Sequence, residues 1–163
     1  MTTEQETMQD NIATDDIVTD DWTGENDVVN YPQEIETVIS SLAQDQKAMV
    51  GHSDDSYAWK FKYGSVEVFV QLTGDTEEDM FTVWSPVLKL PATDEPGLMR
   101  HLLQMNWGST FESRFAIVED QVVVLSSRTV ADLNPGEISR TITIVATIAD
   151  DNDEDLQEKY GAS

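Results

Sequence analysis

Acid–base or metal chemistry in this chain would have to come from two histidines, His52 and His101, and from 32 Asp and Glu residues. His52 stands directly before Ser53-Asp54-Asp55, a run that could hold a metal ion loosely. A metal centre needs three or four converging ligands, each oriented by a further partner. His52 is therefore read as an exposed loop residue. His101, set between apolar helix positions, is read as a partly exposed one. The run Asp150-Asp151-Asn152-Asp153-Glu154-Asp155 evokes calcium ligands, but an EF-hand loop requires Gly at its sixth position and Glu at its twelfth. Counted from Asp150, those positions hold Asp155 and Gly161, so these acids are expected to form a solvated face. There is no G-x-S-x-G elbow and no G-x-x-x-x-G-K-S/T phosphate loop. The absence of cysteine removes disulfides, thiol nucleophiles and thiolate metal ligands. Carboxylate pairs occur throughout, so no pair stands out. The expectation is no catalytic residue, no metal ligand and no cofactor, hence a protein that is not an enzyme.

Charge narrows the partners. Nine Lys and Arg against the 32 acids give a net charge of −23 in 163 residues, with pI near 4.1. Phosphate neutralisation needs clustered cations, which argues against nucleic acid. Docking on an anionic membrane needs basic segments, and no apolar run approaches the roughly 20 residues of a spanning helix. Met1-Thr2-Thr3-Glu4 lacks the basic start and apolar core of a signal peptide, so a cytoplasmic location is expected. Such acidity serves solubility or adaptation to high salt. Residues 1–30 hold nine acids and no Lys or Arg. One charge sign with scattered apolar residues cannot bury enough surface to offset ordering entropy, so this segment is expected to be a disordered tail. Its apolar islands, Ile12, Ile17, Val18, Trp22, Val28 and Val29, leave open a docking or autoinhibitory segment. Residues 31–163 are expected to form a single domain.

The elements that would position any site follow from periodicity. Ile35, Val38, Ile39, Leu42 and Ala43 predict a helix over 34–50 behind Pro32, with Gly51 as its stop and residues 52–56 as a polar loop. Tyr57–Tyr63 and Val66–Leu72 alternate as two strands of a hairpin around Gly64-Ser65. Met80–Leu90 is a third strand, and Pro86 within it predicts an edge position or an early end. Asp94 caps a second helix with Pro96 in its first turn and Gly108 as its stop; Leu98, Met99, Leu102, Leu103 and Met105 form its stripe. Phe111, Phe115, Ile117 and Val122–Leu125 predict a second hairpin around Glu119-Asp120. Beyond Asn134-Pro135-Gly136-Glu137, the β-branched residues favour strand while the cap and the length favour helix. Helix is the reading adopted. The predicted fold is α+β, in the order helix, three strands, helix, two strands, helix. Its antiparallel sheet is covered by helices on one face. Leu98, Leu102, Leu103, Ile142 and Val145 are the predicted core.

The second helix and the hairpin after it carry a resemblance. Leu102-Leu103-Gln104-Met105-Asn106 matches an L-L-x-x-N helix end, and Phe115-Ala116-Ile117 followed by Val122 matches the hairpin that comes next. With the final helix, residues 34–161 resemble the type III secretion chaperone-like fold and, within it, the YbjN-like family, including its cyanobacterial members. The resemblance implies a small acidic α+β domain, often a homodimer, with protein-binding or regulatory roles. It carries over no catalytic residue. The acidic tail lies outside it, and no secretion client is implied.

The functional expectation is a non-enzymatic protein-binding module, chaperone- or adaptor-like. Trp and Tyr are favoured anchors at partner surfaces. Val66, Val68, Val70 and Trp84 are the candidate partner-binding residues, on the expectation that they share one accessible sheet face. Core packing is the competing reading for the tryptophans. The alternative function is a small-molecule sensor or enzyme with a pocket between helices and sheet. An acidic mimic of nucleic acid would need its acids in ordered rows, whereas nine of them lie in the tail.

Overall fold

A computed structural model describes residues 28–44 and 48–162 of the chain. The predicted tail lies outside the described residues as far as Asp27, and Val28–Asn30 lead into the first helix. Helix α1 (Tyr31–Leu42) starts where Asn30 accepts a hydrogen bond from the Gln33 N–H at 3.1 Å. It buries Ile35 and Ile39, with Val38, Leu42 and Ala43 packed beside them. The predicted helix over 34–50 is thus corrected. It ends at Leu42, where the apolar stripe runs out, and Ala43 turns to extended backbone. Ala48–Ser53 form a strand, β1, that holds both Gly51 and His52.

β1 pairs with β2 (Ser56–Tyr63), and β2 with β3 (Val66–Leu72) through the expected Gly64-Ser65 turn. Gly64 has φ +55°, and a Cβ there would run into the Asp150 carboxylate. β4 (Met80–Lys89) is followed by helix α2 (Glu95–Gly108), capped by Asp94 as predicted. β5 (Arg114–Val118) and β6 (Gln121–Thr129) form the second hairpin. All pairings are antiparallel, and the sheet order is β1-β2-β3-β4-β6-β5.

Pro86 sits in a central strand, opposite Val123. This corrects the expected edge or early end, yet the physical reason behind that expectation holds locally. β3 pairs with β4 only from Leu72↔Phe81 to Phe69↔Trp84. Past Trp84 that side of β4 has no ladder to lose, and a register shift between Pro86 and Leu88 absorbs the missing N–H.

α3 (Pro135–Tyr160) resolves the helix-or-strand ambiguity. The Asn134 side chain accepts from the Glu137 N–H at 3.0 Å, and the Glu137 carboxylate accepts from the Asn134 N–H at 3.2 Å. The reciprocal cap and a face of Ile138, Ile142, Val145, Ala149 and Leu156 outweigh β-branched propensity. α3 lies across β3, β4 and β6, α1 packs on α3 and β2, and α2 lies against β5. All three helices therefore cover one face, as expected of this α+β fold. Among the described residues no helix is long and apolar enough to cross a membrane.

The expected solvated face at residues 150–155 is partly wrong. Asp153 is 3% exposed, with the Ser65 hydroxyl donating toward its two oxygens at 2.8 and 2.9 Å. Asp150 accepts from the Ser65 N–H at 2.9 Å. These acids pin the β2–β3 turn to α3.

Asp79 organises the β3–β4 loop. It accepts from the Thr76 hydroxyl at 2.7 Å, the Thr76 N–H at 2.9 Å and the Thr73 hydroxyl at 3.0 Å. Those bonds, the Thr76 hydroxyl first, hold its carboxyl below the ordinary range. A depressed folded-state pKa contributes stability that is present above the unfolded value and lost as pH falls through the folded one. Acidification through and below the carboxylate range should therefore lower the protection factor of the Thr76 amide, its exchange rate compared with the intrinsic rate at the same pH. Asp79→Asn should abolish that pH dependence, measured by NMR hydrogen exchange.

Candidate partner-binding surface

Side chains on a strand alternate between faces, so register decides which residues share a surface. In β3, Val66, Val68 and Val70 point toward the helices with Leu72 and are buried. The register Val70↔Val83 and Phe69↔Trp84 puts Trp84 on the opposite face. The expectation that Val66, Val68, Val70 and Trp84 share an accessible surface is thus corrected. The valines are core, and Trp84 is half-buried on the sheet face that the helices leave uncovered. Trp59 is also core, its indole N–H donating to Glu36 at 3.3 Å.

Trp84 has different neighbours from those expected. Cross-strand pairs Lys60↔Phe69, Phe69↔Trp84, Trp84↔Leu125 and Leu125↔Arg114 align into one row across five strands. Four inter-strand spacings make the row about 19 Å long. At its centre the Phe69 and Trp84 rings stack, 5.3 Å apart and 11° from parallel. The Lys60 ammonium lies 5.8 Å from the Phe69 centroid and 3.0 Å from Glu67. Among the described residues Arg114, at the other end, makes no ion pair.

Register also assigns the charges. The outward-facing charged residues of the described strands are Lys60, Lys62, Lys89 and Arg114 against Glu67. In a chain of net charge −23 this face is locally positive. Where β3 and β4 part beyond Trp84, a cleft of about 350 Å³ opens, lined by Glu67, Phe69, Trp84, Pro86 and Gln121 among others. Ser85 bridges it from below by donating to the Glu67 carbonyl at 2.7 Å.

A second surface was not expected. Leu103 is 70% exposed, contrary to its predicted burial, with Trp107 at 93% and Phe111 at 76%. Leu98 and Leu102 are four residues apart and face the core, and Leu103 and Trp107 repeat that spacing about 100° around the helix. Asn106 fixes the helix to β5 by accepting from the Phe115 N–H at 2.7 Å and donating to its carbonyl at 3.2 Å.

The two histidines are far less organised. His52 is exposed and lies 4.5 Å from the Tyr57 ring. His101 is half-buried beside Tyr160, in a groove of about 780 Å³ between α2 and α3 that also holds Met105 and Asp155. No group of three or more His, Asp or Glu converges as a metal site among the described residues. Glu112 is held below the usual carboxylate range by the hydrogen bond from the Arg140 guanidinium, 2.6 Å away. The space between helices and sheet, where the alternative function would need its pocket, is filled by Val68, Val83, Ile142 and Val145.

Residues 31–158 match the model of the family YbjN, described as "Putative bacterial sensory transduction regulator". The chain belongs to the YbjN family. The matched region takes in α1 through most of α3 and so contains both surfaces. Two solved structures are similar to this YbjN chain. A chain of the crystal structure of the ExsC–ExsE complex is 16% identical, covering 79% of this chain and 92% of that one, with a TM-score of 0.48. A chain of the HopA1–SchA chaperone–effector complex is 10% identical, covering 74% and 93%, also with a TM-score of 0.48. None of the curated proteins compared with the chain matches it.

Proposed function

We propose that this YbjN-family chain is a non-enzymatic protein-binding module, of chaperone or adaptor type. Its uncovered sheet face receives an extended partner segment that presents apolar side chains flanked by carboxylates. The observation that carries this is the row Lys60, Phe69, Trp84, Leu125, Arg114, cationic at both ends and apolar between. Aromatic anchors beside a cleft supply affinity, and the flanking cations set register. A photocrosslinker at Thr82, on this face, should trap a partner that one at Thr143, on the outer side of α3, does not. The trapped segment should be acidic around apolar residues. A basic segment, or equal trapping from both positions, would contradict the reading. So would binding of oligothymidylate to this face, since phosphates repelled by the acidic body should bind poorly.

The module also assembles with a second copy, through Leu103, Trp107 and Phe111. Like-charged copies repel, and residues 96–111 contain no Asp or Glu, so here two acidic molecules can meet. A two-fold pairing of the same patch would cover the exposed indole. Trp107→Glu should convert a dimer into a monomer in sedimentation equilibrium. A wild-type chain already monomeric would contradict this.

A further inference from the structure

The positive sheet face has a candidate occupant within the same chain. Residues 1–27, which lie outside the described structure, carry nine acids and no Lys or Arg. Within them Asp15-Asp16-Ile17-Val18-Thr19-Asp20-Asp21-Trp22 places an acid pair on either side of two aliphatic residues. The pairs are five residues apart, about 17 Å in extended chain. The Lys60–Arg114 row is about 19 Å long, with apolar side chains between its cations.

Tethering permits the contact. Val28, Val29 and Asn30 border a cleft with Asp55, Tyr57, Leu72 and Gly74, at the end of the sheet. The chain therefore leaves the body beside Tyr57 and Leu72, at the end of the sheet where β2 begins and β3 ends. Along β3 the row lies three residues in from Leu72, about 10 Å. The seven residues from Asp21 to Val28 span up to about 23 Å. On the helix side Arg128 pairs with Glu137 and Arg140 with Glu112, much as Lys60 pairs with Glu67, while Arg100 on α2, like Arg114, has no ion pair among the described residues but no aromatic stack beside it. Lys159 sits on α3 next to Glu158.

We propose that Asp15–Trp22 lies across the uncovered sheet face, with one of its two aliphatic side chains on the Phe69–Trp84 stack and a carboxylate of each acid pair at Lys60 and Arg114. The segment is then a built-in competitor of the partner, an inference that rests on the partner-binding reading of this face. Partner binding would have to displace it. Attachment in the same chain raises its effective concentration to about millimolar, so weak contacts suffice for occupancy.

The absence of native cysteine allows one nitroxide to be attached to full-length Thr19→Cys. With the segment docked for most of the time by tethering, the amides of Lys60, Phe69, Trp84, Leu125 and Arg114 should lose about half their intensity or more. Those of Arg140 and Thr143, on the helix side, should keep theirs. Salt near 0.5 M, where the screening length is roughly 4 Å, should weaken the effect. Lys60→Glu with Arg114→Glu, in the labelled chain, should remove it. No broadening, equal broadening of both faces, or broadening centred on Leu103 and Trp107 would overturn the proposal. So would an effect that grows with protein concentration, which would place the segment on another copy. No broadening together with Trp84-dependent partner binding would overturn the docking and leave the partner reading standing. Broadening together with a partner indifferent to Trp84→Ala would do the reverse.

Discussion

Leu102→Ala is expected to lower the free energy of unfolding by about 2–5 kcal/mol. Leu103→Ala, one residue further on, is expected to stay within about 0.5 kcal/mol of wild type. Leu102 is 4% exposed in the seam between α2 and the core, so truncation leaves a cavity as well as losing transfer energy. Leu103 projects into solvent and leaves none. Urea unfolding of the two variants, done on dilute protein so that the α2 patch is not engaged, gives both numbers. Equal losses would mean that the helix is rotated from the phase described.

That pair also marks where sequence patterning ran out. Leu98, Met99, Leu102 and Leu103 are all apolar, so the stripe on α2 was visible but its centre was not. A second stripe of Leu103 and Trp107 blurs the phase, because an exposed patch and a core face look alike in composition. α3 was legible because the Asn134 cap and the length of the pattern, 26 residues in the helix, outweigh β-branched propensity. β1 was missed because Ala48–Ser53 show no alternation of apolar and polar residues, and their strand state comes from pairing with β2. The hairpins were legible from alternation and from the turns at Gly64-Ser65 and Glu119-Asp120. Register between distant strands was not. Val70 and Trp84 carry no local mark that they face opposite ways; only the pairing Val70↔Val83 decides it. The row from Lys60 to Arg114 joins residues 54 positions apart in sequence, which no local pattern shows.

Trp84→Ala should weaken partner binding by about 2 kcal/mol or more, roughly 30-fold, mostly through faster dissociation. Its ring is stacked on Phe69 and borders the cleft at the parting of β3 and β4, the position of a binding anchor. Its half-buried state means that truncation should cost less stability than Leu102→Ala. Measuring affinity and unfolding on one preparation separates the two effects. Lost stability with unchanged affinity would return Trp84 to a packing role. Arg114→Glu, exposed and unpaired among the described residues, should mainly slow association, and more so at low salt.

The central claim is that the uncovered sheet face receives an acidic, apolar partner segment. The most direct test is an NMR titration of isotope-labelled, full-length protein with the segment trapped by the crosslinker at Thr82. The account predicts saturable shifts at Lys60, Phe69, Trp84, Leu125 and Arg114, with the α2–α3 groove around His101 and Tyr160 unmoved. Saturable binding whose shifts are confined to that groove, or to Leu103 and Trp107, would contradict it.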